Sequence, residues 1–244
     1  MKKNFQKNFN LHAQGLVEYA LLISLLVIGL VLVLNLYGVS LSDVYCGVAK
    51  SIDAGHTCTA EKAYCEDTFD GDLNSWKPSY GKPAIKDGQL CFSSAALSLN
   101  QCSMKTGQSD YAVKLDDVNL YKGDGYGVFF RASDNGKGLN GYAFQYDPGL
   151  RSGKYPNGAL IIRKWVNGRE VWEPIAVAPM SSDVYNAPHD FEISANGDVL
   201  TVSMDGKTVL TAKDSTYDSG GTGIRSWDST SGCMGDFSMF ELPK

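Results

Sequence analysis

The chain has 244 residues, 43% of them hydrophobic and 20% charged, with 22 basic and 27 acidic side chains and a formal net charge of −5. That composition excludes a disordered, collagen-like or coiled-coil chain, and the acidic balance excludes the basic footprint of a nucleic-acid binder. His12, His56 and His189, the only histidines, are too scattered for a histidine-based zinc site, while the length admits one large domain or two small ones.

Residues 1–13 hold Lys2, Lys3 and Lys7 and no acid, so a small basic head precedes a body of 19 basic and 27 acidic residues. Such asymmetry marks a targeting segment. Residues 16–39 are almost wholly apolar, with Glu18 their one charge, and 19–39 alone are long enough to cross a bilayer as a helix. No small-residue secretory cleavage site follows. Val44, Val48 and Ile52 keep helical spacing, so one helix is expected over 14–52, about 58 Å long at about 1.5 Å per residue. A carboxylate in such a helix is costly and usually functional; the plain alternative is a glutamate that snorkels to the interface.

The basic head, then His12-Ala13-Gln14-Gly15-Leu16-Val17-Glu18-Tyr19 and the apolar run, resemble the amino terminus of a type IV-like prepilin. The likeness is closest to the tight-adherence (Flp-type) pilins. An archaeal class III signal peptide is similar at Gln14, Glu18 and Leu22. The resemblance implies cutting by a prepilin peptidase between Ala13 and Gln14, although Ala13 stands where most prepilins have Gly. It further implies a precursor in the cytoplasmic membrane, then a helical homopolymer built by pilus assembly machinery on the surface of a prokaryote. There Glu18 would pair with the α-amine of Gln14 on a neighbouring subunit and set the register between subunits.

Residues 53–65 read as a linker carrying Cys58 and Cys65, and 66–244 as an all-β domain. Asp87-Gly88, Asn135-Gly136, Asn140-Gly141, Asn157-Gly158, Asn167-Gly168, Asn196-Gly197 and Asp205-Gly206 are hairpin-favouring pairs. Between them lie strand-like runs at 89–93, 111–115, 127–131, 142–146, 160–166, 190–194, 199–204 and 208–212, many alternating with period two. No stretch has helical periodicity. The fold class is α+β by content: a long apolar helix followed by a β-sandwich or jelly roll.

Thr68-Phe69-Asp70-Gly71-Asp72-Leu73-Asn74-Ser75-Trp76, Lys86-Asp87-Gly88-Gln89-Leu90 and Gly125-Tyr126-Gly127-Val128-Phe129-Phe130-Arg131 open a series of blocks. His189-Asp190-Phe191-Glu192-Ile193, Gly223-Ile224-Arg225-Ser226 and Asp236-Phe237-Ser238-Met239 continue it. In order and spacing they resemble a concanavalin A-like, laminin-G-type sandwich across nearly all of 66–244. The resemblance implies sugar binding by aromatics with polar neighbours. The candidates are Tyr126, Arg131, Tyr142, Tyr146, Arg163 and Trp165, with Arg225, Trp227 and Asp228 in one loop. Tyr142, Phe144 and Tyr146 share a strand face, for which core packing is the competing reading. A structural Ca²⁺ near the joined termini, on Glu66, Asp67, Asp70 and Asp236, is also implied.

Glycoside hydrolysis needs two carboxylates about 5–10 Å apart, and the Glu-x-Asp-x-x-Glu pattern of related hydrolases is absent. Asp116 and Asp117 are adjacent, Glu170 and Glu173 flank a turn, and Asp190 and Glu192 sit in an ordinary strand. No enzyme and no cofactor are expected. Six cysteines in an exported domain point to disulfides, with fifteen pairings open. Position suggests Cys46–Cys58 and Cys91–Cys102, and the neighbouring first and last strands of the resembled fold suggest Cys65–Cys233. The expected function is a pilus subunit that displays its sandwich for adhesion or glycan binding. The alternatives are a membrane-anchored lectin that does not polymerise and an anchored glycan-active enzyme.

Overall fold

The computed structural model describes residues 19, 21–26, 29, 63–182 and 184–242, and the chain divides into units 1–60 and 61–244. In the first unit Tyr19, residues 21–26 and Gly29 are helical, and Tyr19, Leu21, Leu22, Ile23, Leu25 and Leu26 are all exposed. Among the described residues no helix is long and apolar enough to cross a membrane. The expected helix over 14–52 otherwise falls outside the described residues, as do the Ala13–Gln14 junction, Glu18, Cys46 and Cys58.

The second unit is a sandwich of two antiparallel sheets. One holds β1 (Ala63–Asp67), β3 (Ala84–Lys86), β4 (Gln89–Phe92), β6 (Tyr111–Lys122), β12 (His189–Asn196), β13 (Val199–Met204), β14 (Lys207–Lys213), β16 (Ser231–Met234) and β17 (Phe237–Glu241). The other holds β2 (Trp76–Tyr80), β5 (Ala96–Asn100), β7 (Tyr126–Asp134), β8 (Leu139–Asp147), β9 (Ala159–Val166), β10 (Arg169–Glu170), β11 (Ala176–Pro179) and β15 (Gly221–Ser226). In the first sheet the long β6 pairs with β12 along one side. Its other side meets β17 with one half and β16 with the other. The second sheet runs β2-β5-β15-β7-β8-β9, and β9 then pairs with both β10 and β11.

Turn chemistry sets much of this. At Asp87-Gly88, Asn167-Gly168 and Asp205-Gly206 both residues have positive φ, the geometry of the two-residue turn whose twist matches a hairpin. These turns close β3–β4, β9–β10 and β13–β14. β1 begins at Ala63, inside the segment expected as linker, because it pairs with β17. One short helix, α1 (Gln101–Thr106), interrupts the strands. Asn100 caps it by accepting from the Ser103 N–H at 2.9 Å, and Gly107 closes it at φ 55°. Six residues are too few to show a 3.6 period, so caps alone signal it.

The core between the sheets is aromatic. Tyr126 and Tyr146 stack with centroids 5.1 Å apart, and Trp76 meets Phe237 edge-on at 5.0 Å. Tyr126, Tyr142 and Tyr146 therefore lie in the core, not at a sugar site. Burial is tolerable for the last two because their hydroxyls donate to Asp214 Oδ1 and the Val184 carbonyl. Burial pushes the Tyr142 hydroxyl up to about 12.

Arg131 is corrected in the same way. It is 2% exposed, and its guanidinium donates to the Ser109, Gly197 and Tyr217 carbonyls and to Asp110 Oδ1, tying loops together. The four described cysteines also pair differently from the expected Cys91–Cys102 and Cys65–Cys233. Cys91 on β4 lies opposite Cys233 on β16 and is bonded to it, and Cys65 on β1 is bonded to Cys102 on α1. Cys91 and Cys102 do not flank a hairpin, because the chain crosses from one sheet to the other between them.

Candidate functional site

Side-chain alternation on the second sheet points Val128, Phe130, Tyr142, Phe144, Tyr146, Leu160, Ile162 and Ile224 into the core. Their neighbours in sequence therefore face outward. Across the strands Arg225 lies opposite Gly127, and Gly127 opposite Gln145. In the next row Gly223 lies opposite Phe129, Phe129 opposite Ala143, and Ala143 opposite Arg163. Gly127, Gly223 and Ala143 carry little or no side chain, and the Arg225 stem and the Leu99 side chain lie over the two glycines. A Cβ added at Gly127 would stand 3.4 Å from Arg225 Cγ, so the missing side chain lets the arginine stem lie flat. Leu97, Phe129, Ala143 and Trp165 form a small apolar cluster on this outer face.

The Asn167-Gly168 turn folds Glu170 back opposite Trp165 and onto the same face. Its carboxylate becomes the centre of a polar knot. Oε1 accepts from Gln145 Nε2 at 2.9 Å and lies 3.0 Å from Arg163 Nε; Oε2 lies 3.4 Å from Arg225 Nη1. The Arg163 contact is an ion pair without a hydrogen bond's alignment, and Arg163 is only 3% exposed. Arg163 Nη1 donates to the Trp172 carbonyl, and the guanidinium lies 4.4 Å from the centre of the Trp172 ring. The Arg225 guanidinium sits 4.7 Å from Trp165 and 4.8 Å from Trp227. Both arginines are thus held by ring faces as well as by charge.

Three buried donors on this face, Arg163 Nε, Arg225 Nε and Trp165 Nε1, have no hydrogen-bond acceptor. Arg163 Nε faces the Glu170 carboxylate at 3.0 Å, which leaves Arg225 Nε and Trp165 Nε1 as the donors on this face with no partner, where buried polar groups are almost always satisfied. Trp172, against the Arg163 guanidinium, is 74% exposed. Asp147, at the end of β8, faces the same way. Burial pushes its carboxyl above the usual range, against the pull of the Leu150 N–H and of Arg163.

Of the sequence candidates, the structure gathers Arg163, Trp165, Arg225 and Trp227 here. Asp228 follows Trp227 on an exposed turn, where it accepts from the Ser229 N–H. Gln145, Glu170 and Trp172 belong to the site and were not among the candidates. The signal that finds Glu170 is the Asn-Gly turn, which fixes its register against Trp165. Of the acids proposed for calcium, Asp67 accepts from the Phe69 N–H and from Trp76 Nε1, and Asp70 accepts from Thr68. Burial, helped by Asp70, raises the Asp236 carboxyl. Among the described residues no three His, Cys, Asp or Glu side chains are grouped to hold a metal ion.

A family model described as 3-keto-alpha-glucoside-1,2-lyase-like domain matches residues 65–232, a span that contains the whole site. No curated protein matches the chain. Among solved structures, the carbohydrate binding module CBM66 from Bacillus subtilis is similar at 21% identity and TM-score 0.54, covering 68% of this chain and 96% of its own. A protein of unknown function with a galectin-like fold from Bacillus subtilis is similar at 15% identity and TM-score 0.56, covering 74% and 97%. The VIP36 exoplasmic/lumenal domain in its Ca²⁺/Man3GlcNAc-bound form is similar at 11% identity and TM-score 0.57, covering 75% and 91%. At these identities the likeness shows the sandwich fold.

Proposed function

Because the chain belongs to the 3-keto-alpha-glucoside-1,2-lyase-like domain family through residues 65–232, we propose that its sandwich is a carbohydrate-binding module, with the outer face of the second sheet as its site. The observation that carries the reading is the pair of unpartnered N–H donors on Arg225 and Trp165, with Arg225 between the Trp165 and Trp227 rings and the exposed Trp172 ring against Arg163 on the same face. Sugar hydroxyl and ring oxygens supply acceptors, and the C–H face of a sugar packs on an indole. The names of CBM66 and of the Ca²⁺/Man3GlcNAc-bound VIP36 domain support the same reading.

The module binds rather than cleaves. Glu170 is spent on Gln145 and two arginines, and Asp147 on a backbone N–H. Calcium would have to come to the edge near Asp70 and Asp236 from solvent, and it is not needed for the knot. The test is a glycan array probed with the full chain and with Arg225→Ala, with and without chelator. The expected result is binding of at least one glycan class, loss of about tenfold or more in the variant, and bound glycan recovered intact. No binding anywhere on the array would overturn the reading, and glycan cleavage would turn it into an enzyme.

How the module is displayed rests on the amino-terminal sequence. The comparisons support a lectin-like module, and in this proposal the apolar run over 16–39 is its membrane anchor. The pilus-subunit reading is carried by Ala13-Gln14, Glu18 and the apolar run alone. It expects chains beginning at Gln14 in a sheared surface fraction; chains beginning at Met1 and confined to membranes would reject it.

A further inference from the structure

Resting on that carbohydrate reading, we propose that the outer face takes an extended oligosaccharide laid across the sheet, with outlying subsites at Tyr80 and Trp172, and holds its interior rather than one terminal sugar. Tyr80 lies on β2, the edge strand, directly opposite Leu97 on β5. Leu97 packs in the outward apolar cluster and lies opposite Arg225. Tyr80 therefore shares a row with Arg225, Gly127 and Gln145, on the face that carries the knot. It is 45% exposed.

From β2 to β9 there are five strand-to-strand steps, about 24 Å at about 4.8 Å each. That length takes several sugar rings in a row. Along it the order is Tyr80, then Arg225 with Trp227, its stem over Gly127, then Gln145 with Glu170, then Arg163 beneath Trp172. Either exposed aromatic alone would be ordinary surface. Their place on one face, on opposite sides of buried donors that lack acceptors, makes them platforms at the two ends of one site. A pocket for a single terminal sugar would use the central knot and leave Tyr80 idle.

The experiment is calorimetric titration of the full chain with homo-oligosaccharide ladders of glucose, mannose, galactose and fructose, one to six residues long. In the ladder that binds, affinity is expected to rise about tenfold from the disaccharide to the hexasaccharide. Tyr80→Ala should remove that gain and leave disaccharide binding unchanged. Trp172→Ala should shorten the gain from the other end. The proposal is overturned if the hexasaccharide binds no tighter than the disaccharide, or if Tyr80→Ala weakens both equally; either result leaves the carbohydrate reading intact. A chain that binds neither the ladders nor the array removes both.

Discussion

Arg131→Met is expected to lower the stability of the sandwich by about 3 kcal/mol, a large part of the total for a marginally stable domain. The replacement keeps most of the volume and the apolar stem, so the cost comes from what the guanidinium leaves behind. The Ser109, Gly197 and Tyr217 carbonyls belong to three separate connections, and each would lose a charged donor at 2.8–3.0 Å. A fully buried acceptor left unpaired costs about 1–3 kcal/mol; these three bonds are part-buried, so water recovers some of that and about 1 kcal/mol each is expected. Asp110 is half exposed and recovers its solvation, so its ion pair with Arg131 contributes little. Arg131 also holds φ 47° at a bulge in β7, an unfavourable setting that persists only where surrounding contacts over-determine it. The urea midpoint of the full chain reads the effect. A midpoint equal to the wild type would show that water replaces the arginine without cost. Glycan affinity measured below the transition should stay unchanged, since the side chain lies away from the outer face.

The contrast between Arg131 and Arg163 marks where sequence reading stops. Both sit in strands among apolar residues, and both carried equal weight as candidates. Strand alternation places Arg163 opposite to Ile162 and therefore outward. Arg131 follows the inward Phe130 too, but the bulge between Phe130 and Ser133 breaks the alternation. A bulge inserts one residue and leaves no mark in a single sequence. The aromatic stripe of β8 was legible as a shared face, yet which face is inside depends on the partner sheet. Turn chemistry was more informative: Asn-Gly and Asp-Gly pairs fixed three hairpins. It missed the consequence that a two-residue β10 would carry Glu170 back over the sheet. The disulfides follow from cross-strand neighbours that no spacing rule supplies, because β4 and β16 are 142 residues apart at Cys91 and Cys233.

Glu170→Ala is expected to damage binding and folding together, and Glu170→Gln to separate them. Removing the carboxylate leaves Arg163, which is almost fully buried, with a ring face, one carbonyl and the weaker pull of Asp147, but no ion-pair partner in contact. Breaking a fully buried pair costs about 3–5 kcal/mol. Glu170 is about a quarter exposed, and water entering its place reduces the loss to about 2 kcal/mol. Arg225 would also be freed to swing off Gly127, because its 3.4 Å contact with Oε2 is what aims its head. Glycan affinity should then fall about tenfold or more, since the donors are no longer held in place. Glu170→Gln keeps the shape and one acceptor for Gln145 or Arg163, but it turns an amide N–H toward the other arginine. Stability should fall by less than half as much as in the alanine variant, while affinity falls nearly as far. The decisive measurement is a double-mutant cycle of Glu170→Ala with Arg225→Ala on glycan affinity. If Glu170 acts by aiming Arg225, the double variant binds no worse than Arg225→Ala alone. If the two losses simply add, Glu170 meets the sugar directly and its carboxylate is a ligand rather than a support.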